Sequence, residues 1–391
     1  MNILVVTHNY PRFPGDPAGA FVARLAAGLA AGGATVRVLA PHADGLADAE
    51  QQDGVSVRRF RYGPPRLERL AYSGHLHRGG SSRLLTALML PAFLARFRGA
   101  VTGAVQARAP DVIHAHWWFP GAWAAAAGGT PLVVTCHGTD VELLKRSRLL
   151  RRLARRVFAR AAAITTVSSS LKTKLAAVIP EAGARTQVLR MPIDLEHFAA
   201  ARSTARVEPP RILYAGNLIP VKGVDVLVRA TARLRDMGHQ VSLRILGEGP
   251  SRAELQALIA KLNLGGLAEI RPFVAQQEMP REYGEAAIVV LPTRGDVEGL
   301  GLSLVEALAA GCAVVGAASG GIPEVVQHNV TGLLFRPGDD AHLAEQLALL
   351  AADPEMRRRL ARQGEAWVRE EFDSARAVAR YANLLTDVSH G

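Results

Sequence analysis

The sequence predicts an α/β protein made of two Rossmann-like, doubly wound parallel-sheet domains facing a central cleft. Three observations carry that prediction. Apolar runs of four to eight residues recur along the chain, separated by helical patterns, the mark of βαβ units around a parallel sheet. The chain is 391 residues long, which suits two domains of roughly 150–200 residues, each able to bury a core. A small, polar stretch ending in Pro209-Pro210 separates the two series of runs.

In the first series strands are expected at 3–7, 35–40, 112–116, 132–136, 164–167 and 188–190. In the second they are expected at 212–215, 242–246, 269–273, 288–291, 313–316 and 333–335. These limits give a first domain over 1–198, a linker over 199–210 and a second domain over 211–372. The helical pattern in 373–391 is expected to cross back onto the first domain. In open parallel sheets ligands bind beyond the carboxyl ends of the strands, so functional residues are sought there.

Hydrophobic residues make up 49% of the chain and charged residues 21%, a balance that fits a folded globular protein. Cys136 and Cys312 are the only cysteines, which fits a reducing compartment. Met1 runs straight into a strand-like segment, so no secretory leader is expected. No run approaches the roughly 18 apolar residues of a membrane span. The expected location is therefore the cytoplasm, or the inner face of the membrane as a peripheral protein. Charge is unevenly placed: residues 1–195 hold 25 Lys+Arg against 11 Asp+Glu, whereas 196–391 hold 21 against 24. The net +11 thus belongs to the first half, the side expected to meet something anionic.

The segment RGDVEGLGLSLVEALAAGC at 294–312 places Glu298 in a glycine-broken loop and Glu306 in the helical pattern that follows. The N–H groups of Leu300, Gly301 and Leu302 lie where that helix is expected to start. Such donors lack partners within the helix and suit a phosphate, with the two carboxylates free to accept from hydroxyls. After the strand at 212–215 comes GNLIPVKG, whose Asn217 and Lys222 stand at a strand-to-helix junction. Glycine lets backbone approach a ligand, and lysine can grip a diphosphate as a point charge. Alone, that segment is also an ordinary βα turn. In the first half the strand at 132–136 runs into His137-Gly138-Thr139-Asp140, which brings an imidazole to a strand's carboxyl end. His114 and His116 share one face of their strand, but no third ligand is spaced to complete a metal site, so packing is the expected role. The loop PRFPGDPAGAF at 11–21, with Gly15 and Gly19, is either a phosphate-facing loop or a plain connection. Ser319-Gly320-Gly321-Ile322-Pro323-Glu324 reads as a ligand-shaped turn before a helix.

Residues 142–163 form one amphipathic pattern, with Leu143, Leu144, Leu149, Leu150, Leu153, Val157 and Phe158 on one side. Lys145, Arg146, Arg148, Arg151, Arg152, Arg155, Arg156 and Arg160 crowd the rest, with no carboxylate after Glu142. A solvated face normally mixes signs, so an anionic membrane surface is expected here. The segment 83–98, apolar and flanked by arginines, supports the same expectation. The aromatic interleaving of single-strand nucleic-acid binders is missing, so no nucleic-acid partner is expected.

Taken together and in this order, the glycine loop, HGTD, GNLIPVKG, EGLGLSLVE and GGIPE resemble the retaining glycosyltransferases of the GT-B fold, family 4, also called group 1. The resemblance spans essentially the whole chain. It implies transfer of a sugar from a nucleotide diphosphate sugar donor to a glycan or lipid-linked acceptor of a cell-surface polysaccharide pathway, with no cofactor and no metal. It implies that Glu306 holds the ribose hydroxyls, Glu298 the transferred sugar and Lys222 the diphosphate. Leu300, Gly301, Leu302 and Ser303 would assist from the helix start, His137 would lie by the reacting centre, and the Gly15–Gly19 loop would meet the diphosphate. The chain departs from the family at Asn217, where arginine is common, and at Leu300, where an aromatic residue is common; Arg294 is a candidate substitute for the missing arginine. Two other classes stay open at this point: a non-hydrolysing sugar-nucleotide epimerase, and a non-catalytic, membrane-associated binding subunit.

Overall fold

The computed structural model describes residues 1–16, 18–64, 68, 71–72, 83–200 and 208–391. Two compact units emerge: Met1–Pro192 with Ser374–Gly391, and Ile193–Asp373.

Unit 1 contains β1 (Asn2–Val6), α1 (Ala20–Ala31), β2 (Thr35–Pro41), β3 (Ala49–Gln52), β4 (Val55–Phe60), α2 (Arg83–Ala107), β5 (Val112–His116) and α3 (Trp123–Ala125). It continues through β6 (Leu132–Cys136), α4 (Thr139–Arg146), α5 (Arg148–Arg160), β7 (Ala163–Thr166), α6 (Ser169–Val178), α7 (Pro180–Ala184) and β8 (Thr186–Val188). The strands form one sheet in the order β3-β4-β2-β1-β5-β6-β7-β8. Every pairing is parallel except β3 with β4. β5 and β6 are buried along their full length, which is why their sequences read as apolar runs without alternation.

Unit 2 contains α8 (Leu195–Ala199), β9 (Arg211–Ala215), α9 (Val224–Asp236), β10 (Ser242–Leu246), α10 (Arg252–Lys261), β11 (Ala268–Arg271), α11 (Met279–Glu285) and β12 (Ile288–Leu291). It ends with α12 (Leu302–Ala309), β13 (Ala313–Ala317), β14 (Leu333–Phe335), α13 (Asp340–Ala352) and α14 (Pro354–Glu371). Its six strands are all parallel, in the order β11-β10-β9-β12-β13-β14. The last helix, α15 (Ser374–His390), belongs to unit 1. There Tyr381, fully buried, donates its hydroxyl to the Leu189 carbonyl at 3.1 Å.

Several sequence expectations are corrected. The hairpin of β3 and β4 was absent from the expected strands, although Asp53-Gly54, both with positive φ (50° and 76°), is a turn signal between them. The strand expected at 188–190 instead runs Thr186–Val188, where edge pairing with β7 ends at Thr166 and Val188. The strand expected at 269–273 stops at Arg271, and Phe273 is exposed. The boundary between units falls after Pro192, because Phe198 is buried in unit 2 with its ring 5.8 Å from that of Tyr283. Residues 201–207 of the expected linker lie outside the described residues.

The single helix expected at 142–163 is two. Ser147 adopts extended backbone and caps α5 by accepting from the Leu150 N–H, so α4 ends before it. Leu149 is 73% exposed and does not join the apolar side, which buries Ala154, Val157 and Phe158. In 83–98, Phe93 and Phe97 are buried against the Phe60 ring, so this segment presents its aromatic side to the core and not to a membrane. The side chains of 83–88 lie outside the described residues. Among the described residues, no helix is long and apolar enough to cross a membrane.

Candidate functional site

In each sheet the strand order reverses beside the first strand of the unit, and residues singled out by sequence leave strands at these points or one strand away. In unit 2, β9 lies between β10 and β12. The segments leaving β9 and β12 start at the carboxyl ends of neighbouring parallel strands, the place where a parallel sheet opens a crevice.

GNLIPVKG leaves β9 and closes in a 3-10 turn, Pro220–Lys222, before α9 begins at Val224. Gly223 has φ 65°, and a Cβ there would lie 2.1 Å from the Pro292 carbonyl oxygen. Only glycine lets this loop press so closely on the chain leaving β12. The Arg294 N–H donates to the Val221 carbonyl at 2.8 Å, which joins the two segments. The result is that the Lys222 Nζ donates to Glu298 Oε2 at 2.6 Å across 76 positions of sequence. The same oxygen accepts from the Thr293 hydroxyl at 3.0 Å. Both members of the ion pair are mostly but not fully covered, with side chains 21% and 15% exposed. Below them Tyr214 is buried and donates to the Asn217 carbonyl at 2.9 Å; burial, then the Glu298 charge, raises its pKa. Asn217 is thereby fixed through its main chain.

The GGIPE turn holds the other side of the Glu298 loop. Gly321 donates its N–H to the Glu298 carbonyl at 3.0 Å, and a Cβ on Gly320 (φ 59°) would lie 2.4 Å from that oxygen. Ser319 adds a hydroxyl bond to the Gly295 carbonyl. This turn therefore shapes the loop from behind.

The helix after the loop starts at Leu302, with Gly301 as a left-handed N-cap, two residues later than expected. Leu300 is buried and belongs to the approach to the helix. Leu302 and Ser303 stand at the helix start, where N–H groups lack intrahelical partners. Leu304, Val305 and Leu308 are buried, each worth about 1.5–3 kcal/mol of apolar burial, which anchors the helix. Glu306, on its second turn, accepts from the Tyr283 hydroxyl at 2.9 Å and from the Gln276 amide at 3.4 Å. Burial and then the Glu306 charge push the Tyr283 hydroxyl well above its usual pKa, so it stays a donor. Arg294, the candidate substitute for the family's arginine, pairs instead with Asp225 at 2.5 Å.

In unit 1 the reversal lies between β1 and β5. His137 follows β6, and its backbone turn is built around a residue that sequence reasoning passed over. Asp140 is fully buried and accepts N–H bonds from His137 (3.1 Å), Gly138 (3.0 Å) and Trp118 (3.1 Å). The only sequence signal was the fixed spacing within HGTD. Burial raises the Asp140 pKa, while the three backbone donors oppose the rise. The His137 ring sits 4.3 Å from Trp117 and 4.9 Å from Phe21, and His116 Nδ1 lies 3.0 Å from His137 Nε2. Burial, then neighbouring His114, lowers the His137 pKa to about 3, so the ring is neutral at pH 7. His114 bonds the Thr135 hydroxyl at 2.8 Å and stands 4.3 Å from the His116 ring, the packing role expected for that pair. Gly15 (φ 85°) and Gly19 (φ 68°) both take left-handed backbone, and Gly19 is the N-cap of α1. Beside Gly15 the Arg12 guanidinium grips Asp16 at 2.6 Å. Pro17 lies outside the described residues.

On α5, Arg148, Arg152 and Arg155 are exposed and Arg151 is half-buried. Arg155 has a carboxylate partner that the local sequence did not reveal, Glu181 on α7, at 2.9 Å. Among the described residues no cluster of three or more His, Cys, Asp or Glu side chains could hold a metal ion.

Residues 18–214 match the model of the glycosyl transferase 4-like domain, and residues 197–367 that of the glycosyl transferases group 1. A GDP-mannose-dependent alpha-(1-6)-phosphatidylinositol monomannoside mannosyltransferase of Mycobacterium tuberculosis is 30% identical over 67% of this chain and 71% of its own. The D-inositol 3-phosphate glycosyltransferase of Streptomyces scabiei is 29% identical over 96% of this chain and 88% of its own. Among solved structures, sucrose-phosphate synthase of Thermosynechococcus elongatus superposes with a TM-score of 0.81 at 23% identity, covering 99% of this chain and 98% of that one. HepE of Anabaena, solved with UDP-glucose, gives 0.73 at 21%, covering 99% and 100%. The two parallel-sheet units, the loops at their reversal points and these matches agree: the chain belongs to the group 1 glycosyltransferases, nucleotide-sugar enzymes of the GT-B type.

Proposed function

We propose that this enzyme transfers a sugar from a nucleotide diphosphate sugar held by unit 2 to a lipid-linked or phosphorylated acceptor held by unit 1, with the anomeric configuration retained and without a metal ion or cofactor. The observation that carries the donor side is the contact between Lys222 and Glu298 at 2.6 Å, next to the start of α12. A diphosphate needs a cation and unpaired N–H groups, and a sugar needs hydroxyl acceptors. Lys222 and the N–H groups of Leu302 and Ser303 supply the first; Glu298 and Glu306 supply the second.

Breaking the anomeric C–O bond builds negative charge on the leaving diphosphate. Fixed positive groups lower the barrier most when they meet that charge as it develops. In the proposed step the acceptor oxygen bonds to the anomeric carbon on the face the diphosphate leaves, and the acceptor proton passes to a diphosphate oxygen. His137, neutral and close to Trp117, would contact the transferred sugar, and the Gly15–Gly19 loop would meet the diphosphate. The acceptor class is supported by relatives whose names specify a phosphatidylinositol mannoside and an inositol phosphate, and by the exposed arginines of α5, which we place against an anionic membrane surface.

The test is a thermal-shift panel of UDP-glucose, UDP-N-acetylglucosamine, ADP-glucose and GDP-mannose, since a ligand of the native state raises its melting temperature. The stabilising donor is then used for transfer, and the product's anomeric configuration is read by NMR. Inversion overturns the proposed stereochemistry, and loss of turnover on adding EDTA overturns metal independence.

A further inference from the structure

We infer that His116 is a positioning residue: its Nδ1–H donates to His137 Nε2 and so fixes His137 in the tautomer that offers Nδ1–H to the ligand. His116 Nδ1 and His137 Nε2 are 3.0 Å apart, and one of them must carry the shared proton. His116 is fully buried, and its Nε2 has no hydrogen-bond partner among the described residues.

A neutral imidazole carries one N–H. If the shared proton belonged to His137, the proton of His116 would sit on Nε2, a buried donor with no acceptor. Native proteins avoid orphaned buried N–H groups more strongly than under-used acceptors. With the proton on His116 Nδ1, the nitrogen without a partner is a bare lone pair. A proton on both nitrogens of His116 is excluded by its full burial, which together with the neighbouring histidines holds its pKa far below neutrality. The arrangement is held from below as well: His114 packs under His116 and is tied by Nε2 to Thr135, whose hydroxyl meets that of Thr165 at 2.7 Å.

The consequence lies at the other nitrogen of His137. Its Nδ1 has no protein partner among the described residues, and the residue is only half-buried. It thus presents a donor, not a lone pair, so His137 can bond a hydroxyl or phosphate oxygen of the ligand but cannot take a proton through that atom.

This inference rests on the transfer reading only for its kinetic arm. The first measurement is a long-range ¹H–¹⁵N spectrum of the full-length enzyme, with His137 assigned by its loss in His137→Gln. A protonated Nδ1 and bare Nε2 are expected on His137; a protonated Nε2 overturns the proposal whether or not the protein transfers sugar. His116→Asn keeps an N–H near the Nδ1 position, whereas His116→Leu removes it. His116→Leu deprives His137 Nε2 of its donor: the Nε2 signal is expected to move to the position of an unbonded lone pair, and kcat to fall about tenfold with little change in donor KM. His116→Asn is expected to retain the wild-type tautomer and most of kcat. An unchanged His137 spectrum in His116→Leu, or His116→Asn behaving like His116→Leu, overturns the assignment. Should His116→Leu fail to fold, the wild-type spectrum and His116→Asn decide.

Discussion

Replacing Lys222 by Ala separates the electrostatic role of this lysine from a merely structural one. The Nζ of Lys222 stands 2.6 Å from Glu298 Oε2, and the two side chains are 21% and 15% exposed. At 4 Å and an effective dielectric near 20, two unit charges attract by about 4 kcal/mol, but desolvation and side-chain ordering cancel most of that. Glu298 also keeps the Thr293 hydroxyl at 3.0 Å after the lysine is removed. The expected loss of folding stability is therefore about 1 kcal/mol or less, a melting-temperature shift of about 2–4 °C for a unit of this size. The transition state is different, because there the diphosphate gains charge and its cation is gone. A loss of at least about tenfold in kcat is expected, equivalent to about 1.4 kcal/mol of activation free energy. The assay is steady-state transfer with the nucleotide sugar that stabilises the wild type, alongside a thermal melt of the same preparation. Turnover equal to wild type, with that donor still bound, would refute the reasoning and remove the lysine from the mechanism.

Tyr283→Phe deletes the hydroxyl that orients Glu306 at 2.9 Å, and donor KM is expected to rise several-fold with kcat nearly unchanged; an unaltered KM would show that Glu306 does not depend on this bond. His114 is fully buried and its pKa is lowered by burial to about 3, so the native state resists a proton that the unfolded chain accepts near pH 6.5. The stability it contributes is complete above that pH and is lost as pH falls toward 3, at about 1.4 kcal/mol per pH unit. Urea unfolding of wild type and His114→Leu between pH 6 and 4 should show the shallower slope in the variant, and parallel slopes would contradict the burial argument. Reversing Arg148 and Arg152 to Glu should weaken flotation with anionic liposomes and leave neutral ones unaffected, the wild-type binding falling as salt is raised. Equal wild-type binding to both vesicle types would remove the membrane role of α5.

Sequence was sufficient for the architecture because periodicity is a local property. A strand buried on both faces reads as a short apolar run, and βαβ order needs only those runs and the helices between them. It also singled out Glu298, Lys222 and His137 as candidates, each beside a glycine, and Glu306 in the helix that follows the first of them. Where neighbours along the chain mislead, it failed. The arginines of α5 looked free of carboxylates until Glu181 met Arg155, and Arg294 looked like a spare cation until Asp225 claimed it. The break at Ser147 and the hairpin at Asp53-Gly54 were legible from capping and turn chemistry, yet amphipathic and apolar patterns outweighed them.

What only the tertiary structure decided were the partners. Lys222 and Glu298 meet because a glycine at 223 lets one loop lie against the carbonyl of Pro292, and nothing in the chain between these residues, 76 positions apart, encodes that approach. Tyr283 and Gln276 reach Glu306, Asp140 gathers three N–H groups beneath His137, and His116 touches that ring, each by strand order and packing. Residue type and spacing specify which groups can do chemistry. Protonation, orientation and pairing depend on burial and on contacts distant in sequence, and those exist only once the sheets have formed.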